Sequence, residues 1–148
     1  MGLREWLSGS GSRVGLYVDG PNVLRDEFDV DLDDLRERAR TYGQPAVTRL
    51  YLNERAPADL VRAAEARGYA VVTTSTDVDV HLAIDAAAAA ADGAIDVLVV
   101  VSRDADFKPL LELAARRGLE TVAVAPGVAG RSDALQNAAQ HAETIGEP

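Results

Sequence analysis

The sequence predicts an α/β protein: a three-layer α/β/α sandwich around a mostly parallel five-stranded sheet, in the order 3-2-1-4-5. Three observations carry this. Five short β-branched runs recur along the chain, helical periodicity fills the gaps between them, and a glycine closes most of the helical stretches. Continuous apolar runs of this kind fit strands buried on both faces, as in a parallel sheet covered by helices. Alternation of strand and helix then selects the layered architecture, and right-handed crossovers restrict its topology.

In chain order the strands are expected at VGLYV (14–18), AVTRLYL (46–52), YAVVTT (69–74), IDVLVVV (95–101) and LETVAV (119–124). Apolar residues three and four apart mark the helices: Leu32, Leu35 and Ala39; Leu60, Ala63 and Ala64; Phe107, Leu110, Leu111 and Ala114. The alanine run 86–91 reads as a closely packed helix face, because alanine is the best helix former. Gly43, Gly68, Gly93 and Gly118 follow helical stretches and precede strands, as C-terminal helix glycines do. Pro57 and Pro109 sit near helix starts, where a missing amide is tolerated. Ser132 caps an expected final helix over 133–143. SGSGS (8–12) makes residues 1–12 a flexible leader to one domain over 13–146, with Trp6 and Leu7 left to dock on the body or a partner.

At 148 residues the chain suffices for one such core. Cysteine is absent, and His81 and His141 lie far apart, so a bound metal would be held by oxygen, which suits Mg²⁺, Mn²⁺ or Ca²⁺. No apolar run is long enough to span a bilayer and no signal peptide is legible, so no membrane association and a cytoplasmic location are expected. Acidic residues number 24 against 15 basic ones, a net charge of −9, and Lys108 is the single lysine. That acid-rich, lysine-poor, alanine-rich balance resembles salt-adapted halophile proteins, in which global charge no longer argues against nucleic acid.

The chemistry lies in aspartates at strand ends. Asp19 ends the first strand as VDGPN (18–22), and Asp104 and Asp106 follow the fourth as VSRDADF (101–107). Open α/β sheets bind ligands outside the carboxyl ends of strands where strand order reverses; the order 3-2-1-4-5 puts strands one and four together there. Clustered carboxylates repel unless a cation offsets their charge, and Mg²⁺ or Mn²⁺ prefers such oxygens. The plainer readings are helix caps for Asp104 and Asp106 and a turn for Asp19. A third element, TDVDVHLAID (76–85), opens a helix with Asp77 as its cap and Asp79 in its first turn. Asp79 shares a face with Ala83, Ala86 and Ala90; Asp85 lies on another and reaches the site only from the second turn. His81 reads as a satisfied or exposed histidine.

VDGPN, DVDVxLAID and SxDxDFxPL, in this order and spacing over residues 14–142, closely resemble the NYN (LabA-like) branch of the PIN-like ribonucleases. The resemblance implies metal-site acids at Asp19, Asp79, Asp104 and Asp106 holding Mg²⁺ or Mn²⁺. It implies Asn22 and Ser102 positioning ligands, water or phosphate, RNA as substrate, and a homodimer. The chain departs from the family pattern at Thr76 and Asp77, where lysine and glycine are frequent, and at Arg103 and Ala105, in place of glycine and serine. Arg103 and Lys108 flank the late acids and are the candidates for phosphate contact, ahead of Arg25 and Arg131. The expected activity is metal-dependent phosphodiester hydrolysis. The alternative is an RNA-binding or regulatory PIN-like module with little turnover. Toprim-type chemistry would need a glutamate where Asp19 stands, and no P-loop or GxGxxG is present.

Overall fold

β1 (Arg13–Asp19) lies inside the sheet, hydrogen-bonded on one side to β2 (Gln44–Asn53) and on the other to β4 (Val97–Val101). β3 (Ala70–Thr74) flanks β2, and β5 (Glu120–Pro126) flanks β4. The computed structural model describes residues 11–25, 28–127 and 133–146. Within these, every strand pair is parallel and the order is β3-β2-β1-β4-β5-β6.

The helices are α1 (Gly20–Val23), α2 (Leu32–Arg40), α3 (Ala58–Ala66), α4 (Val78–Ala91), α5 (Lys108–Arg116), preceded by a 3₁₀ turn over Ala105–Phe107, and α6 (Asp133–Ala138). Side chains alternate across the sheet and form two apolar layers. Val14, Leu16 and Val18 of β1 join Val23, Leu35 and Ala64 from α1, α2 and α3. Tyr17 and Tyr51 join Leu82, Leu111 and Leu135 from α4, α5 and α6 on the opposite face. The chain winds outward from β1 to β3, crosses back to β4, and winds outward the other way. Right-handed crossovers in opposite directions require helices on opposite faces. The reversal therefore falls between β1 and β4. Gly68 and Gly118 close α3 and α5 with φ of +90° and +86°, conformations that disfavour any side chain.

The sheet has six strands, one more than the sequence reading expects. The expected helix over 133–143 ends at Ala138, and His141–Ile145 becomes β6, paired with Val122–Pro126. Helix-favouring residues run on through Ala139 and Gln140, but the bare edge of β5 offers unpaired backbone groups that a sixth strand satisfies. Gln140 N donates to Thr121 Oγ1 at 2.9 Å, Glu143 accepts from Arg38 Nη1 at 3.0 Å and from the Tyr42 hydroxyl, and Ile145 is buried. These partners are distant in sequence and leave no local signature. Trp6, Leu7, Arg131 and Ser132 lie outside the described residues. Among the described residues no helix is long and apolar enough to cross a membrane.

Candidate metal centre

The site begins with a close approach. Asp19 is the last residue of β1, and Gly20 turns the chain into α1 with Pro21 in its first turn. A Cβ on Gly20 would meet Leu52 and come within 2.5 Å of the Tyr51 carbonyl oxygen, so only glycine lets α1 sit this tightly on β2. That seats Asn22 over the end of β1. Asp19 does not bond its own helix terminus. Its Oδ2 accepts from Ser102 Oγ at 2.9 Å and from Asn22 Nδ2 at 3.2 Å. The turn reading of Asp19 therefore accounts for Gly20 and Pro21 but not for the carboxylate.

Ser102 links the two central strands. Wholly buried after β4, it also accepts from Asp104 N at 3.0 Å, tying the turn after β4 to the end of β1. Asp104 Oδ1 accepts from Asp106 N at 2.9 Å and caps the 3₁₀ turn, which buried Phe107 anchors below. The cap thus falls on Asp104, through one oxygen, and Asp106 stays exposed. Asp79 stands in the first turn of α4, with Asp77 at the N-cap position but making no side-chain cap bond.

Asp79, Asp104 and Asp106 each offer a carboxylate oxygen, and the three oxygens lie within 4.8 Å of one another. Opposed ligands of Mg²⁺ stand roughly 4.1 Å apart and those of Ca²⁺ about 5 Å, so the trio fits around one hard cation. Asp19 is outside this trio and only 4% exposed. Burial pushes its carboxyl up from the ordinary carboxylate range, Ser102 and Asn22 pull it down, and the charges of Asp104 and Asp79 push it up again. Asp19, Asp79 and Asp104 therefore share one electrostatic neighbourhood. A cleft of about 400 Å³ opens on Asp19, Asp79 and Asp104 and is walled by Asn22, Arg25 and Asn53.

The flanking residues divide. Arg103 lies with its guanidinium 4.7 Å from the Phe28 ring centroid and donates to Asn22 Oδ1 at 3.4 Å, which holds it at the rim of the acids. Lys108 begins α5, exposed and without an ion pair among the described residues. Arg25 lines the cleft and donates to the Pro21 carbonyl at 3.4 Å. Asp85 is elsewhere: its Oδ2 accepts from the Tyr51 hydroxyl at 2.7 Å and from Arg49 Nη1 at 3.4 Å. His81 shares a hydrogen bond with Thr76 Oγ1 at 3.0 Å, as a satisfied histidine. The cleft also takes in Asn53, Thr76 and Asp77, none of them an expected site residue. Asn53 follows the buried run Leu50–Tyr51–Leu52 as Asp19 follows its own strand, so the same polarity break marks it.

Residues 13–146 match the NYN domain family. The chain belongs to that family. An NYN domain carries the PIN-like nuclease fold, and the aspartate cluster stands where strand order reverses. This NYN domain is 39% identical over 135 residues to an uncharacterised protein of Methanocaldococcus jannaschii, a match covering 91% of this chain and 56% of that protein. The chain thus spans about half the length of that relative. The crystal structure of a protein of unknown function from Vibrio parahaemolyticus superposes with a TM-score of 0.78 at 20% identity, covering 90% of this chain and 93% of that one. At that identity the likeness speaks for the fold.

Proposed function

We propose that this NYN domain is a metal-dependent ribonuclease of the LabA-like branch, in which Asp19, Asp79, Asp104 and Asp106 form the acid site for Mg²⁺ or Mn²⁺. One observation supports this above the rest: three carboxylate oxygens within 4.8 Å of one another, beside buried Asp19, at the reversal of strand order. Asp79, Asp104 and Asp106 would hold the ion. Such an ion, when bound, lowers the pKa of a water and offsets charge on phosphoryl oxygens. Ser102 and Asn22 fix the Asp19 carboxylate, and the Ser102 hydroxyl sets the backbone of Asp104. Arg103, lying against Phe28 and bonded to Asn22, faces an incoming phosphate with a planar set of donors. Lys108 adds a second positive charge after the turn. The acid-rich composition supports a cytoplasmic protein of a salt-adapted cell, working in high salt.

The test is cleavage of a labelled single-stranded RNA in high salt with Mn²⁺ or Mg²⁺, beside an EDTA control and Asp104→Asn. Cleavage should need the metal. Asp104→Asn should cost more than the roughly 10–100-fold lost when a residue that only orients a ligand is changed. The replacements at Thr76, Asp77 and Arg103 favour a second reading, an RNA-binding or regulatory module with little turnover. Wild-type protein that binds the metal yet leaves a panel of RNAs intact would overturn the nuclease in favour of that module.

A further inference from the structure

A second depression, of about 280 Å³, adjoins the acid cleft and shares Pro21 and Asn53 with it. Its floor is apolar: Leu52 is 3% exposed, and Leu24, Ala56 and Leu60 are half-buried against the same core layer. It exists because Gly20 lets α1 close onto β2, leaving a hollow between α1, the end of β2 and the start of α3.

Two polar groups stand at its rim. Asn53 Oδ1 accepts from Arg55 N at 2.9 Å, which fixes the amide, and among the described residues nothing accepts from its Nδ2. Arg55 is exposed and has no ion pair among the described residues. In a chain of net charge −9, such a guanidinium beside an acid cleft complements an anion approaching from outside.

We propose that this depression is a subsite for one unpaired nucleobase of the strand whose scissile phosphate meets the acids, with Arg55 on the 5′-phosphate of that same nucleotide. The proposal rests on the nucleic-acid reading of the acid site. A base has two apolar faces and a polar edge, which match the aliphatic floor and the Asn53 amide. The volume lies just under the roughly 300–1,000 Å³ of small-molecule pockets, room for a single ring system. A base enters such a hollow only when unstacked, so the substrate class is single-stranded and duplex is refused.

The experiment is titration of the full chain with a nucleoside 5′-monophosphate, read by methyl NMR on labelled leucines. Inorganic phosphate is titrated alongside, and no turnover is needed. Saturable shifts should appear at Leu24, Leu52 and Leu60 with the nucleotide and not with phosphate. Asn53→Ala and Arg55→Ala, both at exposed positions, should weaken them, Arg55→Ala by roughly two- to fivefold. Leu60→Glu should abolish them, with unchanged spectra elsewhere showing that the variant is folded. Shifts confined to the acid cleft, or none, overturn the subsite. RNA cleavage without the leucine shifts leaves the nuclease standing and removes the subsite; the shifts without cleavage do the reverse.

Discussion

Ser102 sits at the end of β4 with its hydroxyl shared among the Asp19 carboxylate, the Asp104 amide and the Asn22 amide nitrogen. Replacing it by alanine leaves Asp19 buried with one donor fewer and frees the turn that carries Asp104. Ser102→Ala should cost about 1–3 kcal/mol in denaturant unfolding. On the proposed function it should also lower RNA cleavage by about 10–100-fold and raise the metal concentration needed for half-maximal rate. Ser102→Thr, which keeps the hydroxyl, should recover part of both. A metal dependence unchanged in Ser102→Ala would rule out this positioning role. Asp19, Asp104 and Asp106 were legible in the sequence because each breaks the polarity of a buried run or follows it within a turn. Asp85 was not placed, because its partners Arg49 and Tyr51 belong to β2 and nothing near Asp85 announces them.

At the scale of elements, α4 is apolar nearly all round. Leu82, Ala86 and Ala90 face the sheet, while Val80 and Ile84 are 50% and 62% exposed. Exposed Ala88 and Ala91 continue that outer stripe at helical spacing. Large side chains at one end and alanines at the other let an antiparallel second copy fit large against small. If the chain pairs with a second copy, as the family resemblance implies, this stripe is the face we propose for it. A single helix pair falls well short of the roughly 800 Å² per partner of a stable interface, so the dimer should be weak. Sedimentation should show concentration-dependent association that Ile84→Asp removes; an unaltered association would place the contact on another surface. α2, α3, α5 and the first five strands were readable from periodicity and α4 from its alanine run, whereas the single turn of α1 carries no such signal. β6 was not, since His141–Ile145 becomes a strand only through the edge of β5 and the Arg38 and Tyr42 contacts of Glu143.

The whole molecule shows itself in its tyrosines. All four, Tyr17, Tyr42, Tyr51 and Tyr69, are pushed up from the ordinary phenol value, burial being the largest cause in each. Tyr17 is raised to about 12, and Asp85 and Glu143 add to the rise at Tyr51 and Tyr42. Folding thus favours the protonated phenol. That stability is fully present below the unfolded value of about 10 and is lost as pH rises through the folded values. Ultraviolet titration of phenolate should show no tyrosine ionising near pH 10 in the folded protein, and ionisation should coincide with alkaline unfolding. A tyrosine titrating freely near its ordinary value would contradict the packing of that ring.

β1 hydrogen-bonds to both halves of the sheet, β2 and β3 on one side and β4 to β6 on the other. A chain emerging from the ribosome can pair β1 with β2, and β2 with β3, early, but the other edge of β1 must wait for β4, which begins 78 residues after β1 ends (Asp19 to Val97). Through that interval Val14–Val18 present a bare, apolar edge, the segment most open to wrong pairing. The acids are divided by the same seam: Asp19 and Asp79 precede β4, and Asp104 and Asp106 follow it. A half-made chain therefore carries no complete ion site. A cation that needs acids from both sides would bind only after β4 docks, and so would lock the late-formed seam by mass action.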